Sequence, residues 1–70
     1  MNEHILKTSL DKGEPITIIY LKDNVITRRN IKVIEIRESE VLAFCYMRHQ
    51  PRLFKKENIL AVDFSIRRVY

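Results

Sequence analysis

The protein has 70 residues, enough for one domain, and 46% of them are hydrophobic, which excludes a disordered tail. The single cysteine, Cys45, excludes an internal disulfide, and no apolar run reaches the roughly 18 residues of a membrane span. The net charge of +4 is uneven: residues 1–24 carry three bases and four acids, whereas residues 25–70 carry ten bases and five acids. The first residues lack a basic stretch followed by an apolar one, so we expect a single cytoplasmic domain, residues 1–70, without a secretory signal.

The first predicted element is a short helix over residues 2–12. Its apolar side comprises Ile5, Leu6 and Leu10. Gly13 stands where a left-handed residue commonly ends a helix, and Pro15 prevents its continuation. Because so short a helix is not stable alone in water, we expect its apolar side to pack on the rest of the domain.

Two β-strands are predicted next. Residues 16–21 are β-branched or aromatic, with Ile16, Ile18 and Tyr20 on one face, and the turn at residues 23–24 separates them from a long run, residues 25–36. Neither alternating set of this second run is purely apolar. A bulge or bend within residues 30–33 would reconcile the pattern, and strongly bent strands suit a small barrel.

Three further strands complete the predicted sheet. Residues 41–47 are almost entirely apolar, which predicts a central strand covered on both sides. Residues 52–55 are predicted to form a short fourth strand, and residues 56–58 a single helical turn. The last run alternates over residues 62–67, as a half-buried strand does. The residues expected to face one core are Ile18, Leu42, Phe44, Val62, Phe64 and Ile66.

The fold class follows from this order of elements. A short N-terminal helix precedes five strands whose short connections favour antiparallel pairing. Five such strands form either a curled sheet or a small, partly open barrel. The barrel is favoured, because it hides most strand edges.

No constellation for catalysis or metal binding is present. One cysteine and two histidines are too few for a metal site, and Cys45 lies in an apolar run, where a thiol packs inertly. No glycine-rich phosphate loop occurs, and no nucleophile, base and orienting group can be assembled. The sequence therefore predicts a protein that is not an enzyme and that needs no metal or cofactor.

The most informative segment is residues 48–56, which holds four bases and no acid. Arg48 and Arg52 flank Pro51, and two guanidinium groups at this spacing suit a phosphate or carboxylate. Arg28 and Arg29 on the second strand could join them. The alternative interpretation is a hairpin end that its cations keep soluble.

The stretch from residue 41 to residue 59 resembles the second half of a WYL domain. The matching positions are Leu42, Phe44-Cys45, Arg48, Arg52-Leu53-Phe54 and Glu57-Asn58-Ile59. Residues 13–20, together with Arg28-Arg29, are similar to the opening of that family. The chain departs from the family at Glu40 and Val41, which replace the Trp and Tyr of the signature, and it has no helix-turn-helix.

The resemblance implies a five-stranded antiparallel barrel of the SH3-like or Sm-like kind. It also implies a binding module for an anionic ligand, a nucleotide or single-stranded nucleic acid, in bacterial transcription regulation. We expect Arg48 and Arg52 to hold phosphate. Arg28, His49 and Lys55 are expected to contribute more weakly, and Tyr46 to stack on a base.

Other classes of partner stay open at this point. The domain could instead bind a protein through a strand edge or through the helix, and a ring of subunits that binds RNA is a third hypothesis. A weak homodimer is also predicted, because a small sheet leaves an edge unpaired. No membrane partner is expected.

Overall fold

The computed structural model describes residues 3–64, which form one helix and one five-stranded antiparallel sheet. The elements are α1 (Glu3–Lys12), β1 (Ile16–Lys22), β2 (Val25–Ile36), β3 (Glu40–Cys45), β4 (Gln50–Lys55), a 3-10 turn η1 (Lys56–Asn58) and β5 (Ile59–Phe64). This confirms the predicted mainly-β class with an N-terminal helix. Within residues 3–64, no helix has the length and apolar character that crossing a membrane requires.

The helix ends as the sequence predicts, but it packs through a different set of residues. Gly13 adopts φ +68°, and its N–H donates to the Ser9 carbonyl at 2.9 Å, which closes the last turn. Ile5 and Leu6 are buried as expected, whereas Leu10 is 38% exposed and Ser9 is fully buried in its place. The helix is therefore rotated so that Ser9, rather than Leu10, meets the sheet.

β1 and β2 form a tight hairpin. Their ladder runs from Ile16 opposite Ile31 to Lys22 opposite Val25, so only two residues make the turn. Those residues, Asp23 and Asn24, have φ values of 53° and 63°. Two successive positive φ values define a type I′ turn, whose twist matches that of the flanking strands.

β2 is long because it belongs to two ladders. Its first half pairs with β1, its second half pairs with β3, and Ile31 has a partner in both. A bulge lies between Val33 and Glu35, just beyond the segment in which the sequence predicts a bend. β2 thus divides the sheet into two halves, β5-β1-β2 and β2-β3-β4.

The sheet is curled but not closed, so the predicted barrel closure is not observed in residues 3–64. The strand order is β4-β3-β2-β1-β5, which leaves β4 and β5 at opposite edges. Only the three residues of η1 connect these edges, so the end of β4 lies near the start of β5. The curl also brings β1 against β4: the rings of Tyr20 and Phe54 meet edge to face at 5.1 Å.

The buried face of β3 is the opposite of the one predicted. Val41, Ala43 and Cys45 are buried, whereas Leu42 and Phe44 lie half-buried on the other face. The expectation was wrong because an unbroken apolar run carries no alternation from which the inner face can be read. The expectation of a central third strand was wrong as well, since β2 occupies the middle of the sheet.

The register of β5 agrees with the prediction better than its burial does. Val62 pairs with Ile18, and Phe64 pairs with Ile16. Because Ile16 and Ile18 are fully buried, Val62 and Phe64 lie on the inner face. Val62 packs against the core, whereas Phe64 is 39% exposed on a strand that, within residues 3–64, pairs with β1 alone. The expected core residue Ile66 lies outside the described residues.

Candidate functional site

A groove opens between the β1–β2 turn and β4. Residues 20–24 and Arg29 line one side, residues 52–55 line the other, and Glu40 and Asn58 complete the wall. We call it the basic groove. Its volume of about 590 Å³ is within the 300–1,000 Å³ range of small-ligand sites. The groove exists because the two halves of the sheet curl toward each other without pairing.

Two arginines approach the groove from different halves of the sheet. Arg29 pairs with Ile18 on β1, and Arg52 pairs with Ala43 on β3. Because directly paired residues share a face, both arginines lie on the inner face of the sheet, and both are half-buried. The Nε of Arg29 donates to Thr27 Oγ1 at 3.2 Å, which orients its guanidinium group.

The charge of the groove is positive but not uniform. Lys22 and Lys55 at the ends of β1 and β4 add to the two arginines, giving four cations. Asp23 and Glu40 also line the wall, and Glu40 lies directly opposite Lys55 in the β3–β4 ladder. The formal balance is therefore four minus two, or +2.

Aromatic side chains form the inner wall of the groove. Tyr20 is 7% exposed and Phe54 is buried, and their edge-to-face contact fixes both rings. The backbone N–H of Lys55 donates to the Tyr20 hydroxyl at 3.0 Å. Among residues 3–64, no hydrogen bond takes up the proton of that hydroxyl, so Tyr20 retains a donor at the wall of the groove.

Of the six site residues predicted from the sequence, the groove contains Arg52 and Lys55. Arg28 points to the outer face, where it pairs with Ile19 and lines a separate cavity of about 370 Å³ with Asp63. The remaining three are exposed beyond β3: Tyr46, Arg48 and His49 belong to the turn over residues 46–49. Their predicted roles in binding stay predictions.

The sequence names Arg29 beside Arg28 as a residue that could join the site but carries only Arg28 into the expected site, and it misses Lys22 altogether. Arg29, not Arg28, faces inward, and the alternation of Arg29 with the buried Ile31 and Val33 was a signal for it. Lys22 offered no such signal. Its place in the wall depends on the β1–β2 turn lying across from β4, which is a tertiary relation.

The ion pairs in the described chain lie outside the groove. Arg37 donates from Nε to Glu35 at 2.8 Å, and this hydrogen bond raises the pKa of the Arg37 guanidinium. Lys56 pairs with Glu3 at 3.3 Å and ties η1 to the helix. Within residues 3–64, no three His, Cys, Asp or Glu side chains are grouped to hold a metal ion.

Comparisons with protein-family models, with curated proteins and with solved structures find no match to this chain.

Proposed function

We propose that the protein is a non-catalytic binding module that takes an anionic ligand, a nucleotide or single-stranded nucleic acid, in the basic groove. The observation that carries the proposal is the convergence of Arg29 and Arg52, from two halves of the sheet, on one groove. Each guanidinium group presents donors in a fork that matches phosphate oxygens. Half-burial strengthens such bonds, because less water competes for the donors.

The lining of the groove suits the rest of a nucleotide. Leu53 on β4 and Leu21 on β1 line the groove, and Leu53 is 48% exposed, whereas Phe54 is buried. Apolar side chains next to cations can cover one face of a base while the cations hold its phosphate. The groove thus offers both kinds of contact that a nucleotide needs.

The proposed regulatory role and bacterial source rest on the resemblance to WYL domains, and the proposed cytoplasmic location rests on the composition, which holds a single cysteine and so no internal disulfide. We also propose that the curled sheet is an open variant of the SH3-like or Sm-like architecture. Its support is the leading helix, the long shared strand β2 and the single 3-10 turn before β5.

A second candidate function is docking of a protein partner through a strand edge. β5 is an edge strand in the described sheet, and its Leu60 is 50% exposed. Apolar side chains on an unpaired edge favour pairing with another chain. The predicted weak homodimer is one form of this hypothesis. Binding through such an apolar surface would change little as the salt concentration rises, whereas binding of an anion in the basic groove would weaken as the salt concentration rises.

The test is titration of the protein with a nucleoside monophosphate and with a short single-stranded oligonucleotide at two salt concentrations. We expect Arg29→Ala and Arg52→Ala each to weaken binding by roughly 10- to 100-fold, as the loss of a charged hydrogen bond predicts. The control is Lys7→Ala, an exposed position on the helix outside the groove.

Three outcomes separate the candidates. Equal losses for the helix and groove variants would indicate diffuse attraction to a basic protein and contradict a site. No salt-dependent binding of any anion would favour the protein-docking function. A loss for Arg48→Ala equal to that for Arg52→Ala would extend the site to the 46–49 turn, as the sequence predicts.

A further inference from the structure

The charge of the basic groove is limited to one small cluster. Four cations and two acids line it, which leaves a formal +2. Other cations of the sheet point elsewhere: Arg28 lies on the outer face, and Arg48 lies in the turn beyond β3. A strand of nucleic acid is held by cations that follow its backbone. The cavity that adjoins the groove at Glu40 and Lys55 adds Lys56 and Glu57, and Lys56 is already paired with Glu3, so this cavity adds no net positive charge beyond the groove.

The two acids oppose an extended polyanion in particular. Asp23 lies in the β1–β2 turn and Glu40 at the start of β3, so each bounds the groove beside a lysine, Lys22 and Lys55 respectively. A phosphodiester chain that continued past either acid would meet a like charge. A compact group that stays between the arginines would avoid both acids.

The charge of +2 matches a terminal phosphate better than an internal one. A phosphate monoester carries close to two negative charges at neutral pH, because its second pKa is about 6. An internal phosphodiester carries one. A monoester also presents three terminal oxygens, enough for Arg29, for Arg52 and for the free proton of the Tyr20 hydroxyl.

Accordingly, we propose that the basic groove recognises a terminal phosphate monoester, carried by a nucleoside monophosphate or by the phosphorylated 5′ end of a single strand. The arginines take two of its oxygens, and the Tyr20 hydroxyl donates to the third. This inference rests on the proposed function, since it specifies the ligand of the same groove. Internal phosphodiesters are not its target.

The experiment compares four ligands on the full chain at constant ionic strength: a nucleoside monophosphate, inorganic phosphate, and one short oligonucleotide with and without a 5′ phosphate. We expect the phosphorylated oligonucleotide to bind at least 10-fold more tightly than the unphosphorylated one. The monophosphate should bind more tightly than inorganic phosphate, because the base adds apolar contacts.

The pH dependence provides an independent readout. Between pH 5.5 and 7.5 the dianionic fraction of a monoester rises from about a quarter to nearly all, so its binding should tighten about fourfold. The unphosphorylated oligonucleotide has no second phosphate ionisation and should show no such change. It therefore corrects for titration of the charged groups that face the ligand, which are Lys22, Asp23, Arg29, Glu40, Arg52 and Lys55.

A conservative variant tests the hydroxyl. Tyr20→Phe retains the ring and should reduce the preference for the phosphorylated oligonucleotide, whereas Thr8→Ala, which removes a hydroxyl on the helix outside the groove, should leave that preference unchanged. Circular dichroism of each variant establishes that it is folded. If Tyr20→Phe does not fold, the wild-type comparison of the two oligonucleotides still decides the proposal.

The outcomes distinguish the terminal phosphate monoester from the more general anion site of the proposed function. Equal binding of the two oligonucleotides would overturn the monoester proposal and leave a general anion site in place. Failure of all four ligands to bind would overturn both. Inorganic phosphate binding as tightly as the monophosphate would support the monoester chemistry and overturn the contribution of a base.

Discussion

Ser9 is a polar side chain fully buried in the described core, and it joins three segments of the chain. Its Oγ donates to the Glu14 carbonyl at 2.6 Å and accepts the Val33 N–H at 3.0 Å. Val33 precedes the bulge in β2, where the ladder to β3 is irregular. The hydroxyl thus fixes the end of the helix and satisfies a backbone donor beside the bulge.

Replacing Ser9 with Ala should lower the free energy of unfolding by about 1–3 kcal/mol, because the buried Val33 N–H would lose its acceptor. Urea denaturation measures the change. Thr8→Ala is the matched control, since the Thr8 hydroxyl donates to the His4 carbonyl on the exposed side of the same helix. An equal, small effect of both changes would contradict the role given to Ser9.

Gly13 is a residue whose identity is required by its backbone conformation. A Cβ at this position would meet no atom within 4 Å, so space does not limit substitution, but φ is +68°. We expect Gly13→Ala to destabilise the protein by roughly 1–2 kcal/mol, the cost of a left-handed conformation for an L-residue. Gly13→Asn should cost less, because Asn tolerates this region. Thermal melts that rank Ala and Asn equally would contradict this explanation.

Tyr20 joins the two halves of the sheet. Its ring contacts Phe54, and its hydroxyl accepts the Lys55 N–H, so β1 and β4 are connected although they are not neighbours in the sheet. Tyr20→Phe should retain the ring contact and cost about 1 kcal/mol from the lost hydrogen bond. Tyr46→Phe, at an exposed position, should cost almost nothing in the same denaturation experiment.

The sequence predicts the elements well where local chemistry determines them. Gly13 and Pro15 mark the helix end, the alternation in β1 identifies its buried face, and residues 56–58 form the predicted turn. The sequence does not predict the features that depend on packing. Residues 41–45 are apolar on both faces, so the buried face of β3 cannot be read from them, and the adjacent Arg28 and Arg29 differ only in the face of β2 on which they lie. The basic groove is harder still, because its walls come from strands that do not pair.

The stability of the whole domain depends on Ile31, the residue at which both halves of the sheet meet. Ile31 is fully buried and pairs with Ile16 on one side and Cys45 on the other. Ile31→Ala should cost about 2–5 kcal/mol, which could unfold a domain that buries only about 60% of its unfolded surface. Circular dichroism at 25 °C would show the loss of β-structure.

Phe64→Ala is the contrasting change. It removes a larger side chain, but one that is 39% exposed, so the protein should stay folded with a smaller loss of stability. If Phe64→Ala unfolds the protein and Ile31→Ala does not, the assignment of the core centre to Ile31 is wrong.

The strand order also determines when each part of the sheet can form. β1 to β4 pair with their neighbours in sequence, whereas β5 must return across the whole chain to β1. Hairpins close within microseconds, while contacts between distant segments form more slowly because of the entropy of loop closure.

We therefore expect Val62→Ala to speed unfolding and leave the folding rate unchanged. A substitution in the β1–β2 hairpin, such as Ile18→Val, should slow folding, and stopped-flow kinetics would separate the two. Until β5 docks, the edge of β1 that pairs with β5 stays open to other chains. The protein is therefore most prone to aggregate after the hairpins have formed and before β5 has docked.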